Sequence, residues 1–435
     1  MSLADSAMGL GLKALNRVAG SAVVDKLGLR QLAEKGLFQS TRAGFVVAGK
    51  LGRSFSAAQK LVKPARLSPA SGTGLFDLTP TDEQQMLRDA AHSFALEQLR
   101  PAASAADHDS AAPADLLQQS SALGFAALGI PEALGGAGSE RNAVSNVLIA
   151  EALAEGDLSL AVACLAPGAV ATALVLWGNE SQQARYLPAF VADHAPAAAL
   201  AVQEPQPLFD AFALHTTAIR SSGGYVLNGV KALVPRGTAC ELFVIAAQLD
   251  GKPRLFLVES STRGLSLQAE PAMGLRAAAT TRLRLDNVKV EATALLGSAE
   301  DYAECIALSR LAWCALATGC GKAVLDHLIP YANERIAFGE PISHRQAVAF
   351  MIADIIVELD GLRLATWRAA AKAERGDDFV REAAIARELA SSKAMRIGND
   401  GVQVLGGHGF TKEYPVERWY RDLRACGFME GVVLV

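Results

Sequence analysis

Between about Ala201 and Leu295 the apolar residues change period, and that change limits the folds open to this chain. Upstream, in EQQMLRDAAHSFALEQL, they recur at three- and four-residue intervals, the spacing of one helix face. Inside the stretch, GGYVLNGVKALV, ELFVIAAQL, RLFLVES, LSLQAEP and TTRLRLDNVKV are strand-length runs separated by Gly, Asp and Pro. A turn is expected within the last of them, at Asp286-Asn287. From Ala303 the pattern is helical again. Val348, Ile352, Ile355, Leu359 and Leu362 step by four, three, four and three residues, a seam wide enough for a bundle. The chain is therefore expected to be mainly α with a central β-domain. No repeat of 20–50 residues is present.

At 435 residues the chain exceeds a single compact core, so two or three domains are expected. The divisions read as a basic amphipathic helical extension over 1–66, a linker over 67–77, helices over 78–200, the β-domain over 201–297 and a helical bundle over 298–435. The linker lies in the Pro/Ser/Gly run PARLSPASGTG. After it, Thr79 and Pro80 read as the N-cap and first residue of a helix that runs to Pro101. Ser159–Gly178 is uncharged over twenty residues, a length that permits a membrane span. Pro167-Gly168 interrupts it, and no flanking charge bias or aromatic belt is present. Two buried helices joined by a turn are expected there.

Charge is unevenly placed. Residues 1–66 hold eleven Lys/Arg against three Asp/Glu, whereas the remainder holds thirty against forty-two. An acidic body is a poor nucleic-acid binder. The basic arm suits packing on its own protein, or peripheral docking to a membrane face or partner. Six cysteines without C-x-x-C spacing argue against a disulfide framework. They fit a reducing compartment, so the expected location is cytoplasmic, with the mitochondrial matrix as alternative. Seven histidines form no H-E-x-x-H, and no metal site is expected.

Neither a strand-linked G-x-G-x-x-G, a P-loop nor a G-x-S-x-G elbow occurs. What stands out is QVLGGHGFTKEYPVERWYRD (Gln403–Asp422) followed by FMEGVVLV (Phe428–Val435). Glycines 406, 407 and 409 permit close backbone approach to a ligand, and Glu430 is a carboxylate suited to general-base work. The string resembles the C-terminal signature of the acyl-CoA dehydrogenase family, and the likeness reaches back to about Leu78. It implies an N-terminal helical domain, a β-barrel or sandwich middle domain and a C-terminal four-helix bundle. It also implies FAD, an acyl-CoA substrate, an electron-transfer flavoprotein as electron acceptor, and a homodimer or homotetramer whose subunits share the flavin site.

By the same resemblance, Glu430 is the catalytic base, removing the proton α to the thioester while the β-hydrogen leaves as hydride. Arg335, in NERIAFGEPISHRQ, faces the FAD diphosphate, with Phe338 and Gln346 beside it. A guanidinium suits a phosphate through paired hydrogen bonds. Gln403, Leu405, Gly406 and Gly407 approach the adenosine half, and Arg310 stands at the CoA-side mouth of the cleft. Some branches carry the base on an earlier helix, but the matching position here is Ser309.

Several matching positions depart from the family pattern. Gln203 replaces a Thr over the flavin and Phe209 a Ser that contacts substrate. Leu233, Val234 and Pro235 stand where Trp-Ile-Thr borders the ring, and Val432 replaces a Thr. Two readings follow: an FAD-dependent acyl-CoA dehydrogenase acting in fatty acid β-oxidation, or a catalytically reduced scaffold docked through residues 1–66. An oxidase passing electrons directly to oxygen is a nearer variant of the first.

Overall fold

The computed structural model describes residues 64–69, 78–138, 140–192 and 195–435. The docking expectation for residues 1–66 falls almost wholly outside them.

The first helix, α1 (Asp82–Phe94), begins two residues later than expected. Thr81, rather than Thr79, is the N-cap, because Gln84 three residues on completes a reciprocal capping box. Nor does the helix stop at Pro101. A π turn at Ala95–Leu99 leads into α2 (Arg100–Asp109), where Pro101 sits in the first turn. Then follow α3 (Ala114–Ala122), α4 (Ala143–Gly156), α5 (Leu158–Trp177) and α6 (Glu180–Phe190). The two helices expected over Ser159–Gly178 are one: α5 passes through Pro167. Asp157 caps its start by accepting from the Leu160 N–H (2.9 Å), and protein surrounds it on nearly every side.

The sheet comprises β1 (Ala198–Ala201), β2 (Thr217–Ser221), β3 (Gly224–Val234), β4 (Leu242–Leu249), β5 (Lys252–Glu259), β6 (Leu265–Ala269), β7 (Thr281–Glu291) and β8 (Leu295–Leu296). Strand order is β6-β7-β3-β2-β4-β5-β8, with β1 parallel to β4. At Asp286-Asn287 there is a bulge instead of a turn. Leu227 pairs with Val288 and Gly229 with Leu285, so two residues of β7 oppose Asn228 alone. Asn228 Oδ1 accepts the Asn287 N–H (2.8 Å), and Asn287 takes a positive φ of 52°.

The C-terminal region holds α7 (Ala299–Glu334), the small hairpin β9 (Ile336–Ala337) and β10 (Glu340–Pro341), α8 (Gln346–Glu374), α9 (Val380–Leu405) and α10 (Val416–Leu423). Ile355, Leu359 and Leu362 of the expected seam are buried, with Val348 and Ile352 packed against the same core. The long α7 packs on α4, α8 and α9 and so ties the two helical regions together. Both α5 and α7 are long and apolar enough to cross a membrane, yet 83% of each apolar window is buried in protein, as in core helices. Alternation along the strands divides the interior. Leu200, Val244 and Ala246 join the helical core, while Ala199, Phe243 and Ile245 join a second core on the other face.

Candidate active site

The segment after α10 crosses from the bundle to the edge of the sheet, and its polar groups are held at nearly every step. Arg387 of α9 donates to the carbonyls of Cys426 and Met429, the latter at 2.8 Å. The Glu430 N–H donates to Gln203 Oε1 (3.2 Å). The next carbonyl, of Gly431, accepts from Ser309 Oγ (2.6 Å) and from Trp313 Nε1 (3.0 Å), both on α7. Val432 then bridges to Leu200 of β1. Gly431 and Val432 both have positive φ, 75° and 80°. For a β-branched residue that is strained, at about 1–3 kcal/mol, and it persists where the surroundings over-determine it.

The Glu430 carboxylate is buried and faces Arg310, one residue after Ser309 on α7. Arg310 Nε lies 3.0 and 3.1 Å from the two carboxylate oxygens and Nη2 lies 2.8 Å from Oε1. Arg310, expected at the cleft mouth, is thus paired directly with the expected base. Its side chain remains 27% exposed, and its guanidinium lies over the Phe212 ring, 5.9 Å away.

Gln203 owes its place to a buried ion pair that the sequence reading passed over. Lys231 of β3 reaches Glu204 Oε1 (2.7 Å) and the Val202 carbonyl (3.0 Å), with both side chains removed from solvent. Glu204 also accepts from the N–H groups of His215 (2.7 Å) and Thr216 (2.9 Å). Burial alone would raise its pKa, but Lys231 and these donors outweigh that and bring it down to about 2. The signal in the sequence was a lysine set among apolar strand residues. Phe209, on the loop that follows Glu204, is half-buried. Val234 and Pro235 are buried at the end of β3, where Val234 pairs with Thr281, and the Leu233 N–H is taken by Glu270 (2.7 Å).

The other expected residues form a separate group at the far end of α7. Arg335 is exposed just past that helix and has no ion pair among the described residues. Phe338 sits at the hairpin tip, 96% exposed, and Gln346 opens α8. Tyr331, one turn before Arg335, reaches the Leu405 carbonyl (3.4 Å) and His408 Nδ1 (2.9 Å) and so brings the glycine turn alongside. Leu405 is buried and Gln403 exposed. A Cβ built on Gly406 or Gly407 would meet nothing within 4 Å, so this backbone is open to a close ligand. Arg335 lies twenty-five residues beyond Arg310, about 37 Å at the rise of an α-helix. One dinucleotide cannot touch both groups on the same chain.

Three family models match, the acyl-CoA dehydrogenase N-terminal domain over residues 81–194, its middle domain over 199–288 and its C-terminal domain over 301–433. The chain is 33% identical to an acyl-CoA dehydrogenase of Bacillus subtilis (strain 168), over 81% of its own length and 95% of that protein. The chain belongs to the acyl-CoA dehydrogenase family. Its fold matches butyryl-CoA dehydrogenase from Megasphaera elsdenii with a TM-score of 0.75 at 30% identity, over 82% of this chain and 96% of that one. It also matches a structure described as an FAD complex of PigA, with a TM-score of 0.74 at 25% identity, over 80% and 94%.

In this member of the acyl-CoA dehydrogenase family α10, which starts within the Tyr-Pro-Val-Glu-Arg run, acts as a clamp. Arg418 of α10 meets Asp157 (3.0 Å) and Arg421 meets Asp107 (2.9 and 3.0 Å), both in the N-terminal helices. Asp422 accepts from the Leu275 N–H (2.6 Å) in the sheet region. Burial and the neighbouring Asp157 hold the Asp422 carboxyl well above the usual carboxylate range, against the pull of the Leu275 N–H, Arg421 and Arg418. All six cysteines are buried and free. Burial raises the Cys164 thiol to about 11, which removes it as a thiolate nucleophile.

Proposed function

We propose that this chain catalyses FAD-dependent α,β-dehydrogenation of an acyl-CoA thioester, with an electron-transfer flavoprotein taking the electrons. The observation that carries the reading is a buried carboxylate, Glu430, fixed at its N–H by Gln203, at the following carbonyl by Ser309 and Trp313, and at its oxygens by Arg310. A fixed carboxylate shielded from water is suited to take the weakly acidic proton beside a thioester. Arg310, partly open to solvent, is suited to meet the polar part of the substrate as it enters.

The residues fit FAD best at its phosphate and adenosine side. Arg335, which has no ion pair among the described residues, supplies paired donors for the diphosphate, and Gly406 and Gly407 leave room for close approach, with Phe338, Gln346 and Gln403 as further candidates. When bound, FAD supplies the acceptor for the β-hydrogen. The separation along α7 of Arg335 from Arg310, the partner of Glu430, supports a site completed by two subunits, hence a homodimer or homotetramer.

The test is the visible spectrum. Purified protein is expected to be yellow and to bleach with acyl-CoA, whereas Glu430→Gln keeps the flavin and loses turnover by about 10²–10⁴-fold. Full turnover in Glu430→Gln would remove the assignment of the base. The second reading, a scaffold with reduced catalysis, is favoured by the ring-side donors already spent: the Leu233 N–H on Glu270, and Pro235 with none. Protein that stays colourless after incubation with FAD would favour it.

A further inference from the structure

Residues 64–69 lie ahead of the region shared with the family, which begins at residue 81, and nothing in the proposed chemistry uses them. They are nevertheless bound to the body at almost every residue. Gln183 of α6, fully buried, meets Ala65 as a neighbouring strand would. Its Oε1 accepts the Ala65 N–H (3.0 Å) and its Nε2 donates to the Ala65 carbonyl (3.0 Å). Arg66 Nη2 donates to the Gly178 carbonyl (2.7 Å) just past α5, and Asp301 in the first turn of α7 attracts the same guanidinium. Ser68 pairs with Glu140 in a parallel bridge, and its carbonyl accepts the Arg141 N–H (2.8 Å) just before α4. Leu67 packs on the helical core and borders a small void with Ala143, Val175, Leu176 and Leu308. Pro69 reaches the turn after α8, where a Cβ on Gly376 would lie 3.6 Å from its ring.

The bonds to Ala65 and the Ser68 carbonyl go to main chain, the way a sheet edge takes an extended peptide, and Leu67 supplies the one apolar anchor. Gln183 makes the strap hard to lose. Its Nε2 also donates to the Leu174 and Val175 carbonyls (3.1 and 3.2 Å), but among the described residues its Oε1 meets only the Ala65 N–H. Lifting the strap leaves a buried carbonyl oxygen with no protein donor, which opposes release. The anchor also fixes where the basic segment of the sequence joins the body. Asp301 lies thirty-four residues before Arg335, about 50 Å at the rise of an α-helix. The strap therefore sits at the end of α7 remote from the proposed diphosphate contact.

We propose that the α5–α6 corner and the segment before α4 form a peptide groove whose ligand is this chain's own Ala65–Ser68, held in cis. The groove tethers the basic N-terminal segment to the body at the end of α7 away from Arg335. This holds whether or not the chain turns over acyl-CoA. Limited trypsin digestion of the full chain tests it, because cutting after Arg66 follows the population of undocked strap. In wild type the Arg66–Leu67 bond is expected to be cut at least tenfold more slowly than in a synthetic peptide of residues 61–72. Ala65→Pro removes the donor to Gln183, and Leu67→Asp places a charge against the apolar core. Both change the strap alone, and together they are expected to bring cutting to within about threefold of the peptide's rate. Hydrogen exchange read by mass spectrometry reports from the body: the Arg141 amide is expected to exchange at least tenfold faster in the double variant. Wild type cut as fast as the peptide overturns the proposal, and that comparison needs no variant to fold. An Arg141 amide indifferent to the double variant overturns it as well. Protection that fades on dilution would give the strap to a second copy and overturn the assignment in cis.

Discussion

Glu430 was legible because it arrives in a fixed order after a distinctive signature, and a carboxylate beside glycine has few other reasons to be buried. Its partners were not legible. Arg310 lies 120 residues earlier in the chain and Gln203 lies 227 earlier, and no local pattern announces such meetings. The substitution at Gln203 reads in sequence as a loss, yet its side chain accepts the Glu430 N–H. Lys231 and Glu204 were invisible for the same reason, although Gln203 depends on them. Their energetics can be measured. Lys231→Met strands a buried carboxylate, so it should cost about 3–5 kcal/mol in urea unfolding, and adding Glu204→Gln should recover part of that. Because Glu204 titrates at about 2 in the fold, below its ordinary value near 4.5, its contribution is present above about pH 4.5. It is lost as pH falls toward 2. An acid-unfolding curve that is the same in wild type and the double variant would contradict this.

Among the elements, type was easier to read than boundary. Helical and strand periods follow from which face is buried, and the β-domain falls where alternation begins. The start of α1 turned on which threonine had a Gln three residues later, and α5 continued through Pro167 because packing, not local propensity, sets its backbone. The start of α4 shows a contact of another kind. Its N-cap Asn142 makes no side-chain capping bond, and Glu374 from the end of α8 accepts the Val144 N–H instead (2.8 Å). Burial, with Glu140 nearby, pushes the Glu374 carboxyl up to about 7. The folded state thus binds more protons than the unfolded chain between about pH 4.5 and 7, and stability falls as pH rises through that range. Glu374→Gln is expected to raise stability by about 2 kcal/mol at pH 8 and to change nothing at pH 4. Thermal melts at the two pH values decide it; an equal shift at both would show that titration is not the cause.

For the whole molecule, the hairpin beside Arg335 exposes Phe338, the end of the glycine turn exposes Phe410, and α8 exposes Phe350 and Val357. Apolar area of this kind is what the two-subunit site proposed above would cover. Light scattering on the native protein is expected to give a multiple of the 45.5 kDa chain mass. Phe350→Glu with Val357→Glu should yield monomer that has lost its FAD; a wild-type monomer retaining FAD would refute the shared site. The clamp made by α10 has a different consequence. Eight residues grip two N-terminal helices through arginines and the sheet region through Asp422. Sequence divisions therefore do not mark mechanical ones. A middle region grafted from another protein would have to bring a free amide to the place of Leu275, or leave Asp422 without the donor it meets here.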